Sequence, residues 1–348
     1  MAPAELAGAL SLSPAYRARQ VFRHLARGAL DFDSMTDLPV SERERLKALR
    51  PRIPSSEPAA ELSDPDGSLK LQLRLADGAA VECVLLEDVE GRKTACLSSQ
   101  VGCPMGCAFC KTGSLGYLRD LSAGEIMEQF HFLSARGGRI SNVVFMGMGE
   151  PCANLGAVRS AIAILSGEIG MSLRKITVST SGLVPGILEL AEKGPAVRLA
   201  VSLTVADDEL RSRLMPVNRS WGLEALKDAL LRYQDMTGER ITLECAIMGG
   251  VNSSAESARK LVAWIGRLKV HVNVIPWNKV PGLSFEEPSR EEVSAFVAVL
   301  ESAGVVAARR MRRGRGVMGA CGQLGDTLRV EGGSLAEGRP PLDPRQPA

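Results

Sequence analysis

Three cysteines within eight residues are the part of the sequence best suited to metal chemistry. Cys103, Cys107 and Cys110 have the spacing C-x3-C-x2-C. A structural zinc site takes four protein ligands, and a catalytic zinc site usually draws on histidine or carboxylate, which this stretch lacks. Three thiolates can instead hold a [4Fe-4S] cluster and leave one iron open for a small molecule. The spacing therefore favours a cluster over zinc, or over cysteines without a shared role.

The composition indicates a globular protein of a reducing compartment. The chain has 348 residues, 45% of them hydrophobic, and eight cysteines without a signal-like N-terminus. Thiols in such a context bind metals or take part in catalysis. No apolar run approaches the ~18 residues of a membrane helix, so we expect a cytoplasmic protein without a membrane segment. The net charge is only +2, so attraction to nucleic acid must come from local patches.

The first part of the chain differs in pattern from the rest. Residues 1–55 read as a small helical appendage whose arginine-rich face either contacts a polyanion or is merely solvated. Residues 56–93 are predicted to form a linker and a β-hairpin. The linker belongs to the Pro/Ser/Glu-rich passage Pro51 to Pro65, and the hairpin strands at 70–75 and 80–86 are joined by Asp77-Gly78.

From residue 94 to 330 strand and helix patterns alternate, and a Gly/Pro-rich tail at 331–348 is predicted to be disordered. Six strand–helix units imply an α/β fold with a parallel sheet, too short for an eight-fold barrel and therefore a partial (β/α)6 barrel. Ser122 with Glu125 and Ser289 with Glu292 have capping-box spacing. The predicted strands lie near 94–99, 142–147, 175–180, 197–203, 240–247 and 270–276, and the helices near 122–136, 154–167, 184–193, 222–237, 254–267 and 289–303.

Polar or glycine-rich segments follow these strands, so they should meet at the carboxyl-terminal rim, where barrel enzymes assemble their sites. Besides the cysteines they include Gly147 to Pro151, Ser179 to Gly182, Ser202 to Thr204 and Pro276 to Asn278. No single segment is specific. Glu150, for example, can equally be a carboxylate that stabilises a helix N-terminus.

The C-terminal part carries a basic patch and a separate cysteine. Five arginines lie between Arg309 and Arg315, and Cys321 follows in a glycine-flanked loop. Arginine pairs with phosphate and stacks on bases, so the patch indicates either RNA binding or a solvated charge run. Cys321 is placed to reach into a site rather than a core, and we expect the arginines to lower its pKa.

The motifs together resemble a known family. The cysteine triad with Gly147-Met148-Gly149-Glu150-Pro151 is similar to radical S-adenosylmethionine (SAM) enzymes. With Ile275-Pro276-Trp277-Asn278 and Ala320-Cys321-Gly322-Gln323-Leu324 the chain resembles the RlmN/Cfr family of RNA adenosine methyltransferases up to about residue 330. The resemblance implies a partial radical-SAM barrel with a helical, RNA-binding N-terminal unit.

The resemblance also implies a set of site residues. Cys103, Cys107 and Cys110 would hold the [4Fe-4S] cluster, and Cys96, Cys321 and the proton acceptor Glu82 would be catalytic. Two molecules of SAM would be used per turnover. The residues implied to contact SAM are Gly149, Glu150, Ser179, Ser202, Leu203, Thr204 and Asn278.

The implied mechanism explains why two separate cysteines are needed. Carbon 2 of adenine is electron-poor, so ordinary methyl transfer fails and a radical must be delivered. Cys321 is methylated, the methyl group becomes a radical that adds to the ring, and Cys96 attacks the Cys321 sulfur to release the methylated base through a transient disulfide. Glu82 would take the ring proton.

The functional hypothesis is methylation of carbon 2 of an adenosine in 23S rRNA, and of an adenosine beside the tRNA anticodon, by a monomer that uses an electron donor such as flavodoxin. Methylation at carbon 8, as in Cfr, is the alternative reaction. A non-catalytic iron-sulfur protein that binds RNA or senses redox state is the alternative of another class. Thr204 and Gly316 to Met318 depart from the family pattern, which has histidine and an acidic segment there.

Overall fold

The computed structural model describes residues 3–49, 51–310 and 312–325, so the predicted tail at 331–348 lies outside the described residues. The strands are β1 (Glu57–Ser63), β2 (Leu69–Arg74), β3 (Ala80–Glu87), β4 (Lys93–Cys96), β5 (Gln100–Gly102), β6 (Tyr117–Asp120), β7 (Asn142–Phe145), β8 (Ile176–Thr180), β9 (Arg198–Ser202), β10 (Ile241–Ile247), β11 (Val270–Pro276) and β12 (Ala307–Arg309). Ten of them form one sheet in the order β1-β2-β3-β4-β7-β8-β9-β10-β11-β12, and β5 pairs with β6.

The helices alternate with the parallel strands of this sheet. They are α1 (Pro3–Ala9), α2 (Tyr16–Ala26), α3 (Val40–Ala48), α4 (Lys111–Ser114), α5 (Ala123–Gly137), α6 (Leu155–Gly167), α7 (Val184–Lys193), α8 (Asp208–Leu214), α9 (Leu223–Thr237), α10 (Ala255–Ile265) and α11 (Arg290–Ser302). Short 3-10 helices cover Pro151–Ala153, Leu173–Lys175 and Pro216–Arg219. The α/β class and the six predicted strand–helix units are confirmed. No helix in the described part of the chain is long and apolar enough to span a membrane.

Strand pairing separates the sheet into a parallel part and an antiparallel part. The parallel part runs from β4 through β7, β8, β9, β10 and β11 to β12. Apolar side chains on one face of these strands pack against the helices in one continuous core. The carboxyl ends of the parallel strands therefore lie at one edge of the sheet, as the sequence predicted.

Helix starts follow the capping chemistry predicted from the sequence. The Ser122 hydroxyl accepts from the Glu125 N–H, and the Glu125 carboxylate accepts from the Ser122 N–H. Ser289 and Glu292 form the same reciprocal pair at the start of α11. These pairs satisfy N–H groups that a helix start leaves without intrahelical partners, which fixes where each helix begins.

Four strands were not predicted, namely β1, β5, β6 and β12. The short β5 and β6 pair antiparallel with each other on either side of Cys103 to Cys110. β1 lies inside the stretch taken for a linker and pairs antiparallel with β2 at the edge of the sheet. All seven of its residues are exposed, so it lacks the hydrophobic alternation from which a strand is recognised. The three-residue β12 adds a seventh parallel strand beside β11, and it carries Arg309 at its end.

The N-terminal helices form a small unit with its own apolar core. Val21, Met35 and Leu46 are fully buried in it. The unit is attached to the barrel through α5, where the Glu128 carboxylate accepts the backbone N–H groups of Ser55 and Ser56 at 2.7 and 2.9 Å. The N-terminal helical unit of the predicted fold is thus present.

Candidate active site

The three closely spaced cysteines lie in one tight loop between β5 and α4. The Cys103 N–H donates to the Gly116 carbonyl, and the Cys110 N–H donates to the Cys107 carbonyl. A side chain at Gly113 would come within 2.8 Å of the Cys107 carbonyl oxygen, so the close approach of α4 to the loop requires glycine there. The loop thus holds three half-buried cysteines close together.

The electrostatics of this loop disfavour three free thiolates. Burial and then the neighbouring Cys107 raise the pKa of Cys103 well above its usual value. Burial, Cys110 and Glu150 raise the pKa of Cys107, against which Arg211 acts only in part. A bound iron-sulfur cluster would supply the positive charge that reverses these effects. The three-thiol donor set therefore fits a cluster better than it fits free cysteines.

No group of three or more histidine, cysteine or acidic side chains in the described residues is arranged to hold a single metal ion. In a four-iron cluster each thiolate bonds a different iron, so the sulfurs stand further apart than around one ion. The side-chain geometry thus gives no support to the zinc alternative.

Gly149 and Glu150 form the wall of the site beside the cysteine loop. Gly149 has φ +98°, and a Cβ there would lie 2.6 Å from the Gln100 Cβ. The Glu150 carboxylate is buried and accepts the N–H groups of Cys152 at 3.0 Å and Ser181 at 2.7 Å. It caps the 3-10 helix after β7, as the alternative interpretation of Glu150 expected. Each oxygen keeps acceptor capacity for a ligand amine.

Burial raises the pKa of Glu150, and the hydrogen bonds from Ser181 and Thr180 act in the opposite direction. An amine held beside the carboxylate would favour its charged form in the same way. The electrostatics of Glu150 are therefore compatible with the predicted contact to the amino end of SAM.

The segment from Ser202 to Thr204 is held from behind by a residue that the sequence did not indicate. Arg211 on α8 is fully buried and donates to the carbonyl oxygens of Leu203 at 3.1 Å and Ser181 at 2.8 Å. Burial lowers its pKa to about 10. Leu203 is buried in the core, and its backbone N–H and carbonyl are hydrogen-bonded to Glu244 and to Arg211 and Val205, respectively. Thr204, which departs from the family pattern, is also buried and has φ +63°.

Several buried oxygens near the rim have no hydrogen-bond partner. They include the Oδ1 of Asn278 and the Oε2 of Glu244. Ser179, at the end of β8, is half-buried. Buried acceptors without partners are costly, so such a group indicates a missing polar ligand. The rim is therefore chemically suited to SAM, which carries amine and hydroxyl donors.

The loop of Cys321 is fastened to the cysteine loop by direct hydrogen bonds. The Lys111 N–H donates to the Gly322 carbonyl at 2.8 Å, and the Thr112 hydroxyl donates to the Leu324 carbonyl at 2.8 Å. The Asn278 amide donates to the Cys321 carbonyl at 3.2 Å. Cys321, Asn278 and the cysteine loop are thus brought together.

The predicted lowering of the Cys321 pKa is wrong. Cys321 is exposed as a residue, but partial desolvation by the rim and then Glu244 raise the pKa of its thiol, and Arg310 opposes them only in part. The sequence showed the arginines but not the carboxylate that the fold places near the thiol.

Cys96 is at the end of β4, and its thiol is electrostatically coupled to that of Cys321. Burial and then the charge of Cys321 raise the pKa of Cys96. All eight cysteines are free, so the transient Cys96–Cys321 disulfide stays a prediction. Cys83, Cys152 and Cys245 are buried in the main core, as expected for cysteines without a catalytic role.

Glu82 on β3 lies under the Cys321 loop beside a buried lysine. Its Oε1 is 3.4 Å from the Lys70 Nζ, and its Oε2 accepts the Gly325 N–H at 2.8 Å. Lys70 also donates to the Met318 carbonyl at 3.4 Å. Glu82 and Lys70 therefore contact the Cys321 loop on both sides of the thiol. Lys70 gave no signal in the sequence because it lies in an ordinary strand pattern.

The basic patch is partly neutralised by acidic neighbours. Arg312 and Arg315 both form ion pairs with Glu287, at 2.6 Å for Arg312. Carboxylates from the turn between β1 and β2 also contact this segment, since Asp64 accepts the Gly316 N–H and Asp66 accepts the Gly314 N–H. These contacts make part of the patch structural rather than free for phosphate.

Comparisons with known proteins agree with this geometry. Residues 97–262 match the family model of the radical SAM superfamily. The chain is 49% identical over 330 residues to a Treponema pallidum (strain Nichols) protein named "Probable dual-specificity RNA methyltransferase RlmN", covering 94% of this chain and 97% of that protein. The chain belongs to the RlmN family.

Other members of the RlmN family and a solved structure give the same result. The Anaeromyxobacter dehalogenans (strain 2CP-C) protein named "Dual-specificity RNA methyltransferase RlmN" is 42% identical over 345 residues, covering 96% of this chain and 89% of that protein. A radical SAM methyltransferase from Sphaerobacter thermophilus superposes with a TM-score of 0.87 at 41% identity, covering 93% of this chain and 97% of that one. The RlmN resemblance therefore includes the N-terminal unit and the hairpin as well as the barrel.

Proposed function

We propose that the protein is a radical-SAM RNA methyltransferase that methylates carbon 2 of an adenosine in 23S rRNA and of an adenosine beside the tRNA anticodon. The observation that carries the proposal is the joining of the Cys321 loop to the cysteine loop by hydrogen bonds from Lys111 and Thr112. A protein that only bound RNA would not need the two separate thiols. Membership in the RlmN family supports carbon 2 and does not favour the Cfr-like reaction at carbon 8.

The proposed roles follow the positions of the residues. Cys103, Cys107 and Cys110 would hold the [4Fe-4S] cluster, and SAM would lie against Gly149, Glu150, Ser179, Ser202, the backbone of Leu203 and Thr204, and Asn278. When bound, the cluster and SAM supply the methyl group of Cys321 and the radical that activates it.

The chain's own residues would complete the reaction. Cys321 holds the carbon unit as a thioether, so addition of that carbon to the adenine joins protein and RNA covalently. Glu82 accepts the proton lost from carbon 2. The odd electron of the radical adduct would pass to the bound cluster. The Cys96 thiolate then attacks the Cys321 sulfur and forms a disulfide, while the carbon leaves with the electron pair of the broken carbon–sulfur bond and takes up a proton to become the methyl group. An external reductant returns both cysteines to thiols.

The proposal extends to location and partners. We propose that the enzyme acts in the cytoplasm as a monomer, with an electron donor of the flavodoxin type, and that residues 1–55 contribute to RNA binding. The supporting feature is α2, which carries Arg17, Arg19 and Arg23 on the N-terminal unit.

Mass analysis of nucleosides tests the function. Cluster-loaded protein is incubated with a reductant, SAM and unmodified 23S rRNA or tRNA, and the RNA is digested. We expect 2-methyladenosine together with 5′-deoxyadenosine. Formation of 8-methyladenosine instead would assign the Cfr-like reaction, and absence of both methylated adenosines and of 5′-deoxyadenosine would refute the proposal. A Cys103→Ser variant, which removes one thiol, serves as the inactive control.

A further inference from the structure

Three polar side chains lie in one row across neighbouring parallel strands near the rim. The register pairs Glu244 on β10 with Ser202 on β9 and with Asn273 on β11. Paired residues of parallel strands point to the same face of a sheet, whereas Leu243 and Cys245 point into the core between sheet and helices. Ser202 belongs to the proposed SAM-binding set, so the row extends that set by two strands.

Glu244 is a buried carboxylate with one oxygen left over. It is 7% exposed, and its Oε1 accepts the Asn273 Nδ2–H at 2.8 Å. Its Oε2 is buried and has no hydrogen-bond partner. Asn273 is itself fixed, because its Oδ1 lies 3.1 Å from the His271 Nε2. The buried Oε2 has lost its hydrogen bonds to water and has gained none from the protein, which costs free energy. A ligand that donates a hydrogen bond to this oxygen would remove that cost.

The backbone of the same residue builds the proposed cofactor wall. The Glu244 carbonyl accepts the N–H groups of Leu203 at 3.0 Å and Thr204 at 3.3 Å. The free oxygen is therefore on a residue that already positions two proposed SAM contacts. The charge of Glu244 also contributes to raising the pKa of Cys321, the proposed methyl carrier.

We propose that Glu244, oriented by Asn273, accepts hydrogen bonds from the ribose hydroxyl groups of SAM. The inference rests on the proposed function, since it assumes that SAM occupies this rim. Burial raises the pKa of Glu244, whereas the hydrogen bond from Asn273 and the charge of Arg310 act in the opposite direction. In its ionised form the carboxylate is an acceptor only, so the ligand of that form is a donor. Acidic side chains bind ribose hydroxyls in the same way in dinucleotide-binding folds. The amino end of SAM is assigned to the cluster and Glu150, which leaves the ribose for the row that begins at Ser202.

Binding of a cofactor product tests this inference without any turnover. Cluster-loaded protein is equilibrated with S-adenosylhomocysteine, and with its 2′-deoxy and 3′-deoxy forms, in anaerobic equilibrium dialysis. The variants are Glu244→Gln, which keeps the size but replaces the free acceptor oxygen, and Glu301→Gln on α11, an exposed glutamate that serves as the control. Thermal unfolding and iron content are measured for each variant.

We expect Glu244→Gln to weaken binding of S-adenosylhomocysteine by about tenfold or more and Glu301→Gln to leave it unchanged. Removal of the contacted hydroxyl should weaken binding to the wild-type protein by a similar factor and add little in Glu244→Gln, because both changes remove the same hydrogen bond.

The proposal is overturned if Glu244→Gln binds S-adenosylhomocysteine as the wild type does, or if the two losses multiply independently. If Glu244→Gln changes only RNA binding, the proposal is overturned and Glu244 contacts the substrate base instead. If it changes only the pH dependence of Cys321 alkylation, the proposal is overturned and Glu244 instead affects the protonation of the Cys321 thiol. If Glu244→Gln loses the cluster, the wild-type protein still provides a test. The proposal is overturned if the wild type binds the 2′-deoxy and 3′-deoxy forms as tightly as S-adenosylhomocysteine itself. If Glu244→Gln and removal of the hydroxyl weaken binding non-additively but the protein makes no methyladenosine, the ribose site is upheld and the proposed function is refuted.

Discussion

The backbone N–H of Lys111 donates to the carbonyl oxygen of Gly322 at 2.8 Å. Lys111 directly follows the last cysteine of the triad, and Gly322 directly follows Cys321. The proposed radical source and the proposed methyl carrier are therefore linked through one hydrogen bond between their neighbours, although more than two hundred residues separate them in sequence.

Replacement of Cys96 tests the release step. We expect Cys96→Ala to retain the first stages of the reaction and to accumulate a covalent protein–RNA adduct, because no second thiol attacks the Cys321 sulfur. Gel analysis of the protein with labelled RNA measures the adduct. Cys83→Ala, which removes a core thiol on the adjacent strand, is the matched control and should turn over without adduct. Normal turnover of Cys96→Ala would contradict the role given to Cys96.

Replacement of Arg211 tests the support behind the cofactor wall. Arg211→Met leaves the Ser181 carbonyl without its donor, leaves the Leu203 carbonyl with only the Val205 N–H, and removes a positive charge near Cys107. We expect a loss of about 2 kcal/mol or more in unfolding free energy and reduced iron content per protein. Denaturant titration and iron analysis measure the two effects. Arg219→Met, at an exposed position, is the control, and equal iron content in both variants would refute a role for Arg211 at the cluster.

Gly149 is a test of backbone geometry at the cofactor wall. Gly149→Ala places a Cβ 2.6 Å from the Gln100 Cβ at a φ of +98°. We expect destabilisation by about 1–3 kcal/mol together with weaker binding of S-adenosylhomocysteine. Gly156→Ala, where nothing lies within 4 Å of the added Cβ, should be neutral or stabilising. Similar affinity in the two variants would show that Gly149 does not shape the cofactor site.

The buried Lys70–Glu82 pair should be sensitive to loss of either partner. Lys70→Met removes the buried cation that lies 3.4 Å from the Glu82 carboxylate, so we expect a loss of about 3–5 kcal/mol in unfolding free energy. Arg74→Met, which breaks the exposed pair between Arg74 on β2 and Glu57 on β1, should have a much smaller effect. Denaturant titration of both variants provides the comparison. Equal effects would show that burial of the pair is not what matters.

The protein should lose stability in mild acid through His131. Burial lowers the pKa of this histidine from 6.5 to about 4, where it packs against Gly28 of the N-terminal unit. Because the folded pKa is the lower one, the unfolded chain takes up the proton first as the pH falls. The stabilisation is complete above about pH 6.5 and declines towards pH 4, by about 3 kcal/mol in total.

The measurement for His131 is the unfolding free energy as a function of pH. A His131→Leu variant lacks the titrating group, so its stability should fall less between pH 6.5 and pH 4. Parallel curves for the two proteins would assign the acid sensitivity to other groups.

The sequence predicted those features that depend on local patterns. Strand–helix alternation, capping boxes and the cysteine spacing each act within a few residues, and each appears in the structure. β1 was missed because an exposed edge strand lacks hydrophobic alternation. Arg211 was missed because its partners, Ser181, Leu203 and Asn218, are set by tertiary packing. The sequence did contain a signal for Glu244, because it is the only charged residue in the otherwise mostly apolar strand Ile241–Ile247.

The row formed by Ser202, Glu244 and Asn273 limits how the gene can change length. Insertions in the loops that join β9, β10 and β11 would leave the row intact, because the loops lie outside the paired residues. Insertion or deletion of one residue within β10 before Glu244 would instead turn Cys245 or Leu243 to the face of the row and send the carboxylate into the core. Natural variation in chain length among working enzymes of this kind should therefore be concentrated in the loops and excluded from the three strands.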